Sequence, residues 1–365
     1  MKERKKAMRS EINGARICGM AAAVSNKWDS LQDFSDEDEN TLKKFVKNIG
    51  VKGRWSASNR QTTSDFCFAA ADKLLTSKSL DRSEVGVLVF VTQTADYDIP
   101  ATACLLQDRL GLPKSCIAFD VNLGCSGFAY GLQIVASLLK AADTKYALLL
   151  AGDTSAREKS ALCKEKTTHS AALLFGDSGT ATLIEKVDEG TEGAELVFSS
   201  STDGSGYKAI IKPYGFWRNP DRPEGEAPGT RMDDVAVFNF STNEVPEQLI
   251  DYMNMKGESP DDYDDLVLHQ ANLMILKRIA KKTGFPLEKM PISMDRFGNT
   301  SSSTIPITLV DKYGDTEDGR TIKALCCGFG VGLSWCTVAL QLNTDDILPV
   351  IHTDDYFVDG YPREF

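Results

Sequence analysis

Histidine is scarce: the chain of 365 residues has three, His169, His269 and His352. A zinc site built from histidine and cysteine has little to draw on, and none of the nine cysteines stands at C-x-x-C spacing. Cys326 and Cys327 are adjacent within an apolar run and are ill placed to pair with each other. Unpaired thiols point to a reducing compartment, most simply the cytosol. Positive charge is also in deficit, with 41 Lys and Arg against 52 Asp and Glu and a net charge of −11. That balance argues against nucleic acid as a main partner, because neutralising phosphates takes clustered cations. No stretch approaches the roughly 18 apolar residues of a membrane helix. The basic start (Lys2, Arg4, Lys5, Lys6, Arg9) followed by apolar Ile17 to Val24 imitates a signal peptide. The run is short, broken by Cys18 and Gly19 and preceded by Glu11, so it reads as a core strand behind a basic tail. What remains is an ordinary globular composition, 42% hydrophobic and 25% charged, with length enough for about two domains.

The stretch from Asp120 to Leu139 organises the rest. Cys116 to Phe119 reads as a short buried strand. After Gly124-Cys125-Ser126-Gly127, apolar residues at 128, 132, 135, 138 and 139 fall at helical spacing, and Ile134 and Ala136 leave little polar surface. Cys125 therefore sits at a tight strand-to-helix turn facing unpaired helical N–H groups. A helix end of that kind lowers a thiol below its free pKa of about 8.5, which predicts a reactive cysteine. A structural buried cysteine is the competing reading.

In chain order the expected elements are a strand at 14–24, an acidic helix start through Asp33, Asp36, Glu37, Asp38 and Glu39, and helices at 41–46 and 64–75. A strand covered on both faces follows at 85–91, then a helix at 101–110 stopped by Gly111 and Pro113. Beyond the Cys125 helix come strands at 146–151 and 171–175, a turn at Gly176-Asp177-Ser178-Gly179 and a strand at 180–185. The second half replays this order. It has a strand at 266–268, a helix at 273–282 stopped by Gly284 and Pro286, and a strand around 292–294. A turn at Gly298-Asn299-Thr300, a helix from about Ser303, and strands at 322–327 and 334–342 about a Gly-rich turn complete it. Cys125 lies fourteen residues after Gly111 and Asn299 fifteen after Gly284; each directly follows a glycine and opens a helix. Two copies of one βα unit would point these helix starts at each other. Between the halves, Lys212 to Arg231 is a long Pro- and Gly-rich loop carrying Phe216 and Trp217, either a substrate entrance or a surface excursion. The acidic, aromatic tail from Asn343 to Phe365 packs on the body or a second subunit, or is loosely ordered.

A reactive cysteine needs a partner. His352 is in the tail and His169 stands in a polar loop. His269 follows the strand 266–268 directly, at the strand end where open α/β sheets place their sites. The run Gly328-Phe329-Gly330-Val331-Gly332 imitates a dinucleotide fingerprint, but an apolar strand rather than a helix follows it. Its better use is to bring backbone N–H groups to a reacting carbonyl.

The segments 120–131, 265–272, 296–306 and 328–335 resemble the four signature segments of the β-ketoacyl-acyl-carrier-protein synthase III family of the thiolase-like superfamily. The resemblance runs over about residues 14–342. It implies a five-layer αβαβα fold, an α/β architecture of two pseudo-two-fold-related halves, 1–190 and 191–342, with a tail at 343–365. It further implies that Cys125 takes an acyl group from an acyl-CoA or acyl-ACP primer, and that His269 and Asn299 bind the carbonyl of a malonyl-ACP extender. The oxyanion would be held by the backbone N–H groups of Cys125 and Val331, and Ile99, Asn272, Phe329 and Gly330 would line the substrate site. A homodimer, acyl carrier protein as partner, a cytoplasmic location and no metal or organic cofactor belong to the same expectation, as does the absence of nucleic acid or membrane partners. Five positions depart from the family pattern. Lys44 and Asn48 stand where a Trp and an Arg often sandwich the coenzyme A adenine, Met274 where an Arg often helps bind the carrier, and Val331 where Gly is usual. Ile99 stands in place of a large aromatic that caps the acyl pocket, so a longer or bulkier primer is expected. The rival reading is a cysteine-dependent acyltransferase that moves the acyl group to an alcohol or amine without forming a C–C bond.

Overall fold

The computed structural model describes residues 7–32, 38–156, 173–226 and 229–361. In chain order the strands are β1 (Met8–Asn13), β2 (Ala15–Val24), β3 (Trp28–Ser30), β4 (Gly53–Trp55), β5 (Val85–Val91), β6 (Ile117–Val121), β7 (Tyr146–Thr154), β8 (Asp177–Lys186), β9 (Glu195–Thr202), β10 (Ile210–Ile211), β11 (Arg231–Met232), β12 (Asp265–Leu268), β13 (Thr321–Gly330), β14 (Ser334–Asn343) and β15 (Ile351–His352). The helices are α1 (Glu39–Ile49), α2 (Thr63–Ser77), α3 (Thr102–Arg109), α4 (Gly127–Ala141), α5 (Asp234–Lys256), α6 (Leu273–Thr283), α7 (Met294–Phe297) and α8 (Thr304–Tyr313).

The strands make two principal sheets, ordered β15-β2-β8-β7-β5-β6 and β1-β9-β14-β13-β12. Within them β2-β8-β7-β5 and β9-β14-β13-β12 share one pattern, two antiparallel pairings and then a parallel one. The repeat expected from element order is thus present in the hydrogen bonding. Each strand of the inner pairs is apolar on both faces, because each sheet is covered on both sides. The largest apolar cluster joins the facing sides of the two sheets through α4 (Phe128, Leu132, Val135, Leu139) and α8 (Ile305, Leu309, Val310). A second covers the outer face of one sheet with α5 and α6, and a third covers the outer face of the other with α2 and α3. Helix, sheet, helix, sheet, helix: the architecture is the thiolase-like five-layer αβαβα fold. The outermost strands cross between halves, since β1 pairs with β9 and β15 with β2.

Several local expectations change. The run 116–119 is not a buried strand: the strand spans Ile117–Val121 at the open edge of its sheet, with Ile117 44% exposed. Residues 292–294 form no strand; the chain turns there into the single helical turn of α7. The proposed turn at 176–179 is already β8 from Asp177 onward, and the Gly-rich turn after β13 is shorter than expected because the strand runs on through Gly330. Glycines read as turn formers serve here as thin places in strands. His169, the acidic residues at 33–37 and the first part of the expected 171–175 strand lie outside the described residues; the rest of that run is no strand, since Leu173 and Leu174 are helical and Phe175 forms only an isolated bridge with Asn299. The tail is bound to the body: the Gln61 amide donates to the Thr353 and Asp355 carbonyls, the Phe357 N–H donates to Asp65, and the Phe357 ring lies beneath the Arg109 guanidinium.

Leu132 is fully buried in the middle layer. Leu132→Ala is expected to lower the unfolding free energy by about 3 kcal/mol with an unchanged denaturant slope. A loss below about 1 kcal/mol in urea titration would mean that α4 is not packed between two sheets.

Candidate active site

The middle-layer helices bring two loops together. Cys125 precedes α4 in the loop after β6, and its neighbour Ser126 is pinned to Ser334 at the start of β14 by a hydroxyl–hydroxyl bond of 2.7 Å. Asn299 lies between α7 and α8, fixed by backbone bonds to Leu174 (2.8 Å) and from Gly176 (3.2 Å). Gly176 has to be glycine for this crossing, because a Cβ there would fall 1.8 Å from the Phe297 carbonyl oxygen. His269 continues the line of β12, its N–H bonded to the Cys327 carbonyl at 2.9 Å. Phe329 meets the imidazole edge to face, with ring centroids 5.5 Å apart.

Cys125, His269 and Asn299, far apart in the chain, line one cavity of about 580 Å³. Asn272, Phe329, Gly330 and Val331 line it as well. Gly330 permits the close approach: a Cβ on it would lie 2.6 Å from the Cys125 Cβ and 2.9 Å from the sulfur. The Val331 backbone N–H is directed at the sulfur. Val331 is not among the described non-glycine residues with positive φ, so a side chain is tolerated where only the N–H is used. Ile99 does not line this cavity. It is 84% exposed, on the loop that leaves the rim ahead of α3.

The electrostatics differ from the sequence expectation. Burial pushes the Cys125 thiol up to about 11, more than the Val331 N–H and the Ser301 hydroxyl recover by favouring the thiolate. The helix begins only at Gly127, two residues on, so its N-terminus does not dominate. Burial also draws His269 down to about 3, which keeps the imidazole neutral. Its Nδ1 lies 2.7 Å from the Thr304 hydroxyl, which in turn lies 3.1 Å from the Ser301 carbonyl. Asn299 is oriented without ambiguity, since its side-chain oxygen accepts the Ser301 N–H at 2.9 Å and a backbone N–H can only donate. The amide nitrogen is left as the free donor.

The rest of the lining was not read from the sequence. Phe45 and Ile49 of α1, Leu174 and Phe175, Ile210 of β10, Met232 of β11 and Val235, Val237 and Phe238 of α5 make the cavity mainly apolar. Exposed Met232, Val235 and Met274 mark its mouth, while buried His269 and Asn299 lie at its inner end. The ends of the 212–231 loop pair as β10 and β11 and form part of this wall, whereas Phe216 and Trp217 stand exposed away from it. Ser301, Thr304 and Asp153 were also missed. Ser301 sits two residues after Asn299, and Asp153 near the C-terminal end of β7, on the rim where the strand-end rule places sites.

Five covered layers with a cysteine, a histidine and an asparagine meeting between the two central helices define a thiolase-like protein with a cysteine site. Two family models match the chain, 3-oxoacyl-[acyl-carrier-protein] synthase III over residues 119–204 and the C-terminal model of the same synthase over 253–342. The β-ketoacyl-[acyl-carrier-protein] synthase III of Streptococcus suis is 30% identical over 333 residues, covering 90% of this chain and 99% of that one. A 3-oxoacyl-(acyl-carrier protein) synthase from Burkholderia xenovorans superposes with a TM-score of 0.88 at 35% identity, over 95% of this chain and 99% of its own. The synthase III of Pseudomonas aeruginosa gives 0.77 at 28% identity, over 93% and 99%. The chain belongs to the 3-oxoacyl-acyl-carrier-protein synthase III family.

With the thiol near 11, the thiolate fraction at neutral pH is about 10⁻⁴. Alkylation of Cys125 by iodoacetamide is therefore expected to accelerate about tenfold per pH unit between pH 6 and 9 without levelling. A plateau below pH 8, read by mass spectrometry, would show a thiolate already formed and restore the helix-end expectation.

Proposed function

We propose that the chain joins an acyl thioester primer to malonyl-acyl carrier protein by decarboxylating Claisen condensation through an acyl-Cys125 intermediate. The observation that carries this is the meeting of Cys125, His269 and Asn299 in one cavity, with the Val331 N–H on the sulfur. Cys125 attacks the primer thioester, its S–C bond forms and the primer's thiol leaves. The malonyl thioester then binds with its carbonyl oxygen facing His269 and Asn299. Loss of carbon dioxide leaves the electron pair on the α-carbon as an enolate, and the two donors stabilise its oxygen. For this His269 must present its N–H on Nε2, which requires the Thr304 hydroxyl to turn its single proton from the Ser301 carbonyl to Nδ1. The α-carbon attacks the acyl-cysteine carbonyl, the N–H groups of Cys125 and Val331 hold the oxyanion, and collapse expels the Cys125 thiolate. Neutral donors in a mainly apolar cavity suit this sequence, because they are fixed before charge develops and need no reorganisation.

The carrier protein as partner is supported by charge. α1 and α6 contribute Phe45, Ile49, Met274 and Ile275 to the cavity, and the same helices carry exposed Lys44, Lys47, Lys277, Arg278 and Lys281. An anionic carrier presenting its arm to this mouth meets cations in an otherwise acidic protein. Self-association into a homodimer is supported by the open apolar edge of β6. A cytoplasmic location is supported by the unpaired state of the eight described cysteines. The division at residue 190 follows the matched strand patterns, with 343–365 as a tail that returns to the first sheet.

Incubation with a panel of acyl thioesters is expected to add one acyl mass to the protein and none to Cys125→Ala. His269→Ala and Asn299→Ala should still acquire the acyl group but lose condensation by a factor of about 10² to 10³ each. Acyl-Cys125 with no 3-oxoacyl product from any extender would select the rival acyltransferase. Reversing charge at the mouth, Lys277→Glu with Lys281→Glu, should raise the KM for malonyl-acyl carrier protein about tenfold while leaving acylation by uncharged N-acetylcysteamine thioesters unchanged. Equal effects on both substrates would remove this face from carrier docking.

A further inference from the structure

The wall of the cavity is mainly apolar, and two of its polar groups lie together on the Cys125 side. Gln93 follows β5, Ser155 follows β7, and Leu174 and Phe175 precede β8. The three strands are neighbours in one sheet, β5 parallel to β7 and β7 antiparallel to β8, with Thr154 opposite Asp177. One end of that sheet therefore brings a carboxamide, a hydroxyl and apolar surface to the same part of the wall.

Gln93 is held firmly in place. Its backbone N–H donates to Asp153 Oδ1 at 2.7 Å, and the same oxygen lies 3.2 Å from the Thr92 and Thr94 hydroxyls on either side. Its side chain lies over Gly124, the residue before Cys125. A Cβ on that glycine would fall 2.2 Å from Gln93 Oε1 and 2.9 Å from its Cδ. Among the described residues neither the Gln93 carboxamide nor the Ser155 hydroxyl has a hydrogen-bond partner, and both residues keep accessible surface. Groups of this kind bond to water until a ligand displaces it, and a wholly apolar ligand leaves them unpaired.

The mouth fixes which part of a substrate meets them. A thioester arm passes Met232, Val235 and Met274, all supplied by the second half, on its way to the sulfur. The acyl group it delivers then lies against the strand ends of the first half. Among the described residues no lysine or arginine lines the cavity, so nothing there neutralises a charged acyl group.

We propose that the primer is an uncharged acyl chain carrying a hydroxyl or oxo oxygen close to the thioester, and that Gln93 and Ser155 select it by hydrogen bonding. A carboxamide both donates and accepts, so it pairs with either kind of oxygen. Leu174 and Phe175 cover the apolar remainder of the chain.

This inference rests on the acyl-cysteine reading and names its substrate class. The test offers the full-length protein hexanoyl-, 3-hydroxyhexanoyl-, 3-oxohexanoyl- and succinyl-coenzyme A in pairwise competition and reads the acyl groups on Cys125 by intact mass. One of the two oxygenated six-carbon chains is expected to load about tenfold faster than hexanoyl, with succinyl the slowest. Gln93→Leu keeps the bulk of the side chain and removes its hydrogen bonding, and should bring that ratio to about one. Ser155→Ala should lower it in the same direction. Competition within one sample makes the ratio independent of how much of a variant is folded, which a merely structural effect would leave unmoved. A wild-type ratio of about one, or a preference for hexanoyl or succinyl, overturns the proposal without any variant. A preference that survives intact in both Gln93→Leu and Ser155→Ala overturns it too. No acyl mass on the wild type from any thioester would instead overturn the acyl-cysteine reading, whereas loading by hexanoyl alone leaves that reading standing and removes only the selection.

Discussion

The packing of two helices between two sheets is the constraint on which everything else here depends. α4 and α8 are apolar on nearly all sides because each faces both sheets, and neither can leave the middle layer without exposing that surface. The loop that opens α4 carries Cys125 and the loop that opens α8 carries Asn299, so the burial that stabilises the fold also fixes the distance between two functional groups. His269 joins them from β12, the strand of the second sheet that matches β5 of the first. The site is a consequence of the core and is not an addition to its surface.

A site made in this way has its polar groups set deep in the core, and that burial sets its chemistry. Both the thiol and the imidazole are driven toward neutrality by the same burial, upward for one and downward for the other. What remains to stabilise charge is a set of fixed dipoles: the Val331 N–H, the Asn299 amide and the N–H of His269. One turn of backbone at Ser301 orients much of this set, through its N–H to Asn299 and its carbonyl to Thr304 and so to His269. A left-handed serine is a strained way to build that turn, and the strain is held by groups that the chemistry itself uses.

Much of this was legible in the sequence, and the limits of legibility have physical causes. Periodicity located β5 to the residue and α4 and α6 to within a few, because buried elements of ordinary length leave strong apolar patterns. The spacing of Cys125 and Asn299 behind helix-stopping glycines pointed to a repeated unit, and the two sheets do share a strand pattern while both residues line one cavity. Glycine was misread where its reason was thinness: Gly176 and Gly330 lie where another backbone or a side chain passes within van der Waals contact, a tertiary fact with no local signature. The thiol's protonation was misjudged for a related reason, since the helix end is visible in the sequence and the depth of burial is not. β6 was taken as buried because apolar runs look alike whether a sheet continues past them or stops. Ile99 was carried over from the family pattern, and it stands on a loop that turns outward from this cavity.

The distribution of charge completes the argument. A protein of net charge −11 has every reason to repel an acidic partner at long range. Lys44 and Lys47 on α1, and Lys277, Arg278 and Lys281 on α6, are clustered on the two helices whose apolar faces line the cavity. On α6 the stripe from Met274 through Lys277 and Arg278 to Lys281 follows the helical repeat, so one face runs from the apolar mouth to the cationic surface within two turns. An approaching anion is therefore opposed by the net charge and, at close range, meets these cations beside the mouth of the cavity. Screening by salt weakens the repulsion and the attraction alike, so the electrostatic selection of that region fades as ionic strength rises.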